Sequence, residues 1–138
     1  NRYENYIINT AAEGVDFCRD INSPNCKLQL DMFHMNIEED NIENAILCAA
    51  GYIGHFHAAE PDRNLPHPGG RNDWKQIGNC LKRAGYDGTV TMEAAVTNDQ
   101  ESTYSMRIWR DLLPDNSRQT RLNAMRSSID FLRSQFEP

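Results

Sequence analysis

The sequence contains no CxxC pair, and its few cysteines lie far apart. Cys18, Cys26, Cys48 and Cys80 are separated by 8, 22 and 32 residues, a spacing that disfavours a zinc knuckle. The apolar context of Cys48 in "AILCAA" favours reduced thiols in a protein core over disulfides, as is typical of the cytoplasm. We therefore expect a cytoplasmic protein with free cysteines.

The chain also lacks an apolar run long enough to span a bilayer, and no signal-peptide pattern opens it. We therefore expect no membrane partner. The 14 Lys and Arg are outnumbered by 20 Asp and Glu, giving a net charge of −6. Because nucleic-acid-binding proteins usually carry a basic patch, this balance disfavours a nucleic-acid partner. The length of 138 residues and the apolar fraction of 39% are typical of one globular domain.

Helix-like and strand-like segments alternate along the chain. Helical spacing predicts helices in residues 3–21, 36–51, 72–85, 102–113 and 117–136, with N-caps at Asn36 and Asn72. Alternation of polar and apolar residues predicts strands in residues 27–34, 52–57 and 89–94. This order favours an α/β fold with βαβ units and a parallel sheet, at a spacing compatible with a (β/α)₈ barrel.

Each predicted strand ends in a side chain that can bind a metal. Asp31, His57 and Glu93 end the polar faces of the three strands. Barrels and open α/β sheets carry their chemistry at this edge. Two carboxylates and one imidazole suit Mn²⁺, Co²⁺ or Mg²⁺, and burying both carboxylates is unfavourable without a cation. The alternative is that each residue is an ordinary hydrogen-bonded or capping residue.

Three nearby side chains are further candidates. Arg63, in the loop "AAEPDRNLP", can hold sugar hydroxyls or a phosphate through its forked donors, or can be an ordinary surface residue. His34 lies three residues beyond Asp31 and can donate to a substrate oxygen or cap a helix. His55 lies one layer deeper than His57, and we expect it to be a hydrogen-bonded interior residue.

Four segments resemble successive motifs of the D-tagatose 3-epimerase and D-psicose 3-epimerase family: "LQLDMFHMNIEED", "GHFHAAEPDRNLPHPG", "GYDGTVTMEA" and "IWRDL". The resemblance extends from Asn1 to the closing helix. It implies the C-terminal portion of a xylose-isomerase-like (β/α)₈ TIM barrel, with about three βα units plus flanking helices. Residues 1–138 would then form a single partial domain.

The resemblance implies that Asp31, His57 and Glu93 bind a divalent metal, and that Glu93 is also one of two catalytic carboxylates. In this family the metal holds two oxygens of a ketohexose. One glutamate removes the C3 proton to give an enediolate, and the other returns a proton to the opposite face. A metal-dependent epimerase or isomerase of carbohydrate metabolism is therefore expected.

The same resemblance implies that Glu4, His34 and Arg63 contact the bound ketose, and that the protein is a homo-oligomer. The family's second catalytic glutamate, also a metal ligand, lies upstream of the segment that resembles "NRYEN". Since that glutamate is absent from these 138 residues, we expect the chain alone to be inactive.

Three alternatives remain open. The sequence has "MEAA" where the family has MEPF, and "VTNDQEST" in place of a glycine-rich segment, which leaves room for a related sugar isomerase. An endonuclease IV-like DNA-repair barrel would need more metal-binding histidines and a basic groove. The third alternative is a non-catalytic half barrel that a partner chain completes.

Overall fold

A three-stranded parallel sheet organises the structure, with its strands in the order β1-β2-β3. The computed structural model describes residues 1–96, 100–115 and 117–137. The helices and strands in chain order are α1 (Ala11–Ile21), β1 (Leu28–Asp31), α2 (Met32–Glu38), α3 (Ile42–Cys48), β2 (Ile53–Ala58), α4 (Trp74–Arg83), β3 (Val90–Met92), α5 (Gln100–Ser105) and α6 (Arg118–Phe136). Helices that connect parallel strands confirm the predicted α/β class.

One face of the sheet is apolar and lies against the helices. Leu30 and Phe56 are buried on that face. Helix α1 packs on β1 and α3, α3 packs on α4, and α4 packs on α6. The ring of Phe136 in α6 lies 6.4 Å from that of Trp74 in α4. Removing these apolar side chains from water stabilises the packing by about 25 cal/mol per Å² of apolar surface. The polar side chains of the strands lie on the opposite face of the sheet.

The three strands end within one residue of one another. Asp31 pairs with His57, and His57 pairs with Thr91. One residue beyond β3, the Glu93 N–H donates to the carbonyl of Ala58 at 3.1 Å. Because side chains alternate between the faces of a strand, this register places the last polar side chains on the same face and at the same edge.

The first helix begins at Ala11, so the prediction of a helix from residue 3 is wrong. A capping box starts it: Thr10 Oγ1 accepts from the Glu13 N–H at 3.3 Å, and the Glu13 carboxylate accepts from the Thr10 N–H at 2.9 Å. Tyr6 and Ile7 are 90% and 68% exposed. Their helical spacing therefore does not reflect a buried helix face.

Strand β1 ends at Asp31, so the predicted strand over 27–34 is too long and the predicted cap at Asn36 is wrong. The Asp31 carboxylate accepts from the Phe33 N–H at 2.8 Å and caps α2, which begins at the next residue. Asn36 lies inside α2, and Asn41 caps α3. A strand thus becomes a helix with no loop between them.

Two later boundaries differ from prediction, and the closing helix agrees with it. Asp73, not Asn72, caps α4 by accepting from the backbone of Gln76 at 2.9 Å. The helix predicted over 102–113 is shorter, because α5 ends at Ser105 and turns follow it. Ser117 caps α6, which confirms the closing helix.

All four cysteines are free. Cys18 and Cys80 are buried as predicted, Cys26 is half-buried, and Cys48 is exposed. The expectation that Cys48 belongs to the core is therefore wrong, because Cys48 is the exposed last residue of α3, whereas Ala45 and Ile46 are the residues that α3 buries. None of the helices in the described part of the chain is long and apolar enough to cross a membrane.

Candidate metal centre

Three side chains converge at the carboxyl ends of the strands. Asp31 ends β1, His57 is the last residue but one of β2, and Glu93 directly follows β3. Nδ1 of His57 lies 3.3 Å from Oδ2 of Asp31 and 3.3 Å from Oε2 of Glu93. One ligand atom from each residue lies within 4.8 Å of the others. The structure thus brings together all three residues that were predicted to bind a metal.

The two carboxyl groups of this cluster differ in burial and in acidity. The side chain of Asp31 is 7% exposed and that of Glu93 is 49% exposed. Burial raises the pKa of Asp31 to about 6, and its hydrogen bond with Glu93 adds to the rise. The pKa of Glu93 is lowered to about 2 by the hydrogen bond with Asp31 and then by those with Arg63 and His57. Burial therefore makes the Asp31 carboxyl the weaker acid of the two.

Arg63 supplies positive charge to the cluster. Its Nη1 lies 2.6 Å from Oε2 of Glu93 and 3.7 Å from Oδ2 of Asp31. The guanidinium carbon lies 3.9 Å from the centre of the Phe33 ring, a cation–π contact. Arg63 as a whole is only 9% exposed. The alternative of an ordinary surface arginine is therefore wrong.

The backbone of Arg63 holds an uncommon conformation. Its φ of +64° lies in the left-handed region, which non-glycine residues rarely occupy. The Arg63 N–H donates to the carbonyl of Glu60 at 2.9 Å, and the Arg63 carbonyl accepts from the Ala95 N–H at 2.8 Å. These bonds join the loop after β2 to the segment after β3, and they aim the guanidinium at the cluster.

Glu60 stabilises the loop after β2 through buried hydrogen bonds. Its role was not predicted from the sequence. Oε1 accepts from the indole N–H of Trp74 at 2.7 Å, while Oε2 accepts from the N–H groups of Arg71 at 2.8 Å and Asn72 at 3.3 Å. Glu60 is 2% exposed and has no ion-pair partner among the described residues. The available signal was an acidic residue two positions after the end of β2 at Ala58.

His34 and Glu4 lie at the edge of the cluster. Nε2 of His34 lies 3.3 Å from Nη2 of Arg63, and Nδ1 lies 2.8 Å from the side-chain nitrogen of Asn1. Burial lowers the pKa of His34, which favours the neutral imidazole. Glu4 accepts from the same Asn1 nitrogen at 3.2 Å and lies 4.0 Å from Nε2 of His34. Asn1, another residue that sequence reasoning missed, therefore links the two predicted sugar contacts.

A layer of polar residues lies beneath His57 on the same sheet face. The side-chain nitrogen of Gln29 lies 3.3 Å from Nδ1 of His57. The ring of His55 stands edge to face with that of His57, with centroids 4.9 Å apart. These contacts fix the imidazole plane of His57. His55 is half-buried, and its predicted role as a hydrogen-bonded interior residue stays a prediction.

Two cavities border this site. One of about 300 Å³ lies along β1 and is bordered by Asp31, His34 and Glu93. The other, of about 440 Å³, is bordered by Arg63, Phe33 and Trp109. Both have the size of small-molecule sites, for which ~300–1,000 Å³ is typical. Of the "VTNDQEST" segment that departs from the family motif, residues 97–99 lie outside the described residues.

The donor set fits a divalent ion. Two carboxylates and an imidazole suit hard or borderline cations. The Asp31 carboxyl is buried beside Glu93 and is unfavourable in its charged form, as its raised pKa shows. Arg63 is close to Glu93 but 3.7 Å from Asp31. A cation among the three ligand atoms would therefore compensate the negative charge of Asp31, which Arg63 leaves partly unpaired.

Comparisons with known proteins agree with this architecture. The sequence model of the xylose isomerase-like TIM barrel family matches residues 1–135. D-psicose 3-epimerase of Ruminiclostridium cellulolyticum is 42% identical over 133 residues, which cover 96% of this chain and 45% of that protein. D-psicose 3-epimerase of Agrobacterium fabrum is 46% identical over 112 residues, covering 81% of this chain and 38% of that protein.

A crystal structure of D-psicose 3-epimerase in the presence of D-fructose has a TM-score of 0.93 and 39% identity, covering 100% of this chain and 47% of that chain. The chain thus spans less than half the length of these relatives. The likeness confirms the predicted fold class, a portion of a (β/α)₈ barrel. The chain belongs to the xylose isomerase-like TIM barrel family.

Proposed function

We propose that the whole protein is a metal-dependent ketose 3-epimerase, and that residues 1–138 are a single partial domain, the C-terminal part of its barrel. The observation that carries this proposal is the convergence of Asp31, His57 and Glu93 at one edge of the sheet, with ligand atoms within 4.8 Å of one another. The similarity to two D-psicose 3-epimerases supports the reaction type.

In this proposal Asp31, His57 and Glu93 hold the ion, and the oxygen-rich set suits Mn²⁺, Co²⁺ or Mg²⁺. When bound, the ion supplies positive charge that stabilises the negative charge developing on the sugar oxygens as the C3 proton leaves. The chain's own contribution is to place these side chains on one face and at one edge through the register of three strands.

Glu93 acts on the C3 proton. Its pKa is lowered to about 2, so it is ionised at neutral pH and can accept a proton. Its side chain is half exposed and borders the cavity beside β1. The ion pair with Arg63 at 2.6 Å limits the positions that the carboxylate can take. A charged carboxylate held beside the cavity can work as a base on a bound sugar.

Arg63, His34 and Glu4 contact the sugar oxygens. Arg63 and His34 lie 3.3 Å apart and between the two cavities, so a ligand in either cavity meets at least one of them. Glu4, on the outer side of His34, contacts the far part of the sugar. The likeness to a crystal structure of D-psicose 3-epimerase in the presence of D-fructose favours a ketohexose.

The second acid–base carboxylate comes from outside these 138 residues, so the chain alone does not turn over. The test is hydrogen exchange at C3 of D-fructose and D-tagatose with Mn²⁺ present, measured for this chain and for a longer protein that includes the preceding half of the barrel. We expect exchange and C3 epimers from the longer protein only. Robust turnover by the isolated chain as a monomer would contradict the proposal.

Substitution of Glu93 by Gln in the longer protein tests its assignment. We expect loss of C3 exchange by at least about 10²-fold, because an amide cannot take the proton. Glu137→Gln, at an exposed site directly after α6, is the matched control and should keep activity. An aldose product from the unaltered protein would instead favour the related sugar isomerase.

We also propose a homo-oligomer in the cytoplasm. Exposed aromatic residues support an interface: Tyr6 is 90%, Tyr104 is 67% and Trp109 is 69% exposed. The four free thiols support a reducing compartment. Light scattering of the longer protein tests the first proposal, and a monomer at micromolar concentration would contradict it. Localisation of a tagged protein tests the second.

A further inference from the structure

We propose that Cys18 and Cys26 are a redox modification site, at which a hydroperoxide converts two thiols into an intrachain disulfide. Their sulfur atoms lie 3.7 Å apart, in contact. Cys18 lies in the last turn of α1, and Cys26 precedes β1 by two residues. Within the described part of the chain, neither Cys48 nor Cys80 has a second thiol in contact.

The backbone around this pair is held by its own hydrogen bonds. Asn22 ends α1 in a left-handed conformation with φ of +48°, and its N–H donates to the carbonyl of Cys18 at 3.0 Å. The Cys26 N–H donates to the carbonyl of Ser23 at 3.1 Å, which closes a turn containing Pro24. The contact between the sulfurs therefore follows from the cap and the turn, and bonding requires the sulfurs to approach by only about 1.7 Å.

The two thiols differ in access to solvent. Both thiols border a cleft of about 370 Å³, but Cys18 is only 3% exposed, whereas Cys26 is half-buried. Arg19, Lys27 and Tyr52 also line this cleft, and both cationic groups lie 5.9 Å from the centre of the Tyr52 ring. A small oxidant therefore reaches the sulfur of Cys26 first, and the more buried Cys18 reacts in the second step.

The chemistry proceeds in two balanced steps. The Cys26 thiolate attacks one oxygen of hydrogen peroxide, the O–O bond breaks, and a sulfenic acid and hydroxide form. The Cys18 thiolate then attacks the sulfur of that sulfenic acid, a disulfide forms, and hydroxide leaves. Overall, two thiols and one peroxide give one disulfide and two waters, and a dithiol reductant restores the thiols.

The disulfide ties the end of α1 to the start of β1. This is the amino end of the strand, whereas Asp31 lies at its carboxyl end. In barrel folds the amino end of the strands serves stability and the carboxyl end serves chemistry. We therefore expect oxidation to stabilise the fold and to leave the binding of Mn²⁺ unchanged, which separates this site from the proposed activity.

Peptide mapping after oxidation of the full chain under native conditions tests the proposal. After treatment with hydrogen peroxide, the intact mass of the protein should fall by two hydrogen atoms, and the remaining thiols are then blocked before digestion. Trypsin cleaves after Arg19 and Lys27, between and after the two cysteines. Residues 3–19 and 20–27 should therefore appear as one cross-linked pair that a dithiol separates.

Two variants keep this test decisive. Cys48→Ser should give the same cross-link, and Cys26→Ser, at the half-buried member of the pair, should not lose the two hydrogen atoms. The midpoint of thermal unfolding should rise by roughly 5–10 °C on oxidation of the unaltered chain. Oxygen added to Cys26 without a cross-link, a bond between two molecules through Cys48, or an unchanged or lower midpoint would overturn the proposal.

Discussion

The guanidinium of Arg63 contacts the carboxylate of Glu93 at 2.6 Å, between Nη1 and Oε2. The same Oε2 lies 3.3 Å from Nδ1 of His57. Oε2 of Glu93 thus pairs with the guanidinium of Arg63 and also belongs to the proposed set of metal ligands. Any divalent ion that binds this oxygen meets the positive charge of Arg63, so the arginine weakens the binding of the metal.

Replacement of Arg63 by Gln should therefore tighten the binding of Mn²⁺. Removing a cation that competes for a half-exposed carboxylate should lower the dissociation constant by about 3- to 10-fold, or roughly 1 kcal/mol. Calorimetric titration of the folded chain measures this change. Arg63→Lys keeps the charge and should bind Mn²⁺ nearly as the unaltered chain does. Weaker binding in Arg63→Gln, with the fold intact by circular dichroism, would contradict the competition.

Two substitutions at Asp31 should separate its roles as a helix cap and as a metal ligand. Asn is also a good N-cap, so Asp31→Asn should keep the bond from the Phe33 N–H and the stability of the chain. Asp31→Ala should lose about 1 kcal/mol of unfolding free energy, because that bond disappears. Both should bind Mn²⁺ at least about tenfold more weakly, since a charged ligand is gone.

Urea unfolding and metal titration of the two variants check these expectations. Equal unfolding free energies for Asp31→Asn and Asp31→Ala would show that the Asp31 side chain does not stabilise α2 as a cap. Unchanged affinity for Mn²⁺ in both variants would remove Asp31 from the ligand set.

Replacement of Glu60 by Gln should destabilise the loop after β2. Both carboxylate oxygens accept N–H groups, at 2.7 Å from Trp74 and 2.8 Å from Arg71. An amide must turn its NH₂ group towards one of these donors, and we expect a loss of about 1–3 kcal/mol of unfolding free energy. Glu101→Gln, on the exposed surface of α5, is the control and should change little. An equal result for both variants would show that the carboxylate does not hold the loop.

The binding of metal should weaken as the pH falls below about 6. Burial raises the pKa of Asp31 to about 6 in the metal-free chain, so below this pH an ion must displace a proton to bind. The affinity for Mn²⁺ should then fall by up to about tenfold per pH unit, with release of that proton. Calorimetry in buffers of different ionisation enthalpy measures the release.

The carboxyl carbon of Asp31 provides an independent control for this prediction. In a metal-free sample labelled with ¹³C at aspartate, its NMR signal should titrate with a midpoint near 6. A midpoint near the ordinary value of about 3.9 would show that burial does not control this group.

The alternation along each strand was enough to predict the ligand cluster. Asp31, His57 and Glu93 were assigned to one face because side chains alternate with a period of two, and to one edge because they end parallel strands. The structure brings these residues together. Local patterns of this kind are strong signals, because a half-buried strand needs its apolar residues on one side.

Boundaries and long-range contacts were harder to predict. The spacing of Leu28, Leu30 and Met32 continues the strand pattern past Asp31, although the Asp31 carboxylate caps a helix there. The roles of Asn1 and Glu60 depend on partners 33 and 14 residues away, His34 and Trp74. No local sequence pattern encodes such pairs, so the contacts that support the cluster are visible only in the structure.

The shared register of the three strands limits which length changes the chain can tolerate. An insertion or deletion of one residue within β1, β2 or β3 would turn Asp31, His57 or Glu93 towards the helices. The same change in the loop between α1 and β1 would leave all three in phase. The length of the loop at the amino end of β1 can therefore vary. The number of residues within each strand is constrained by the candidate metal site at the carboxyl ends.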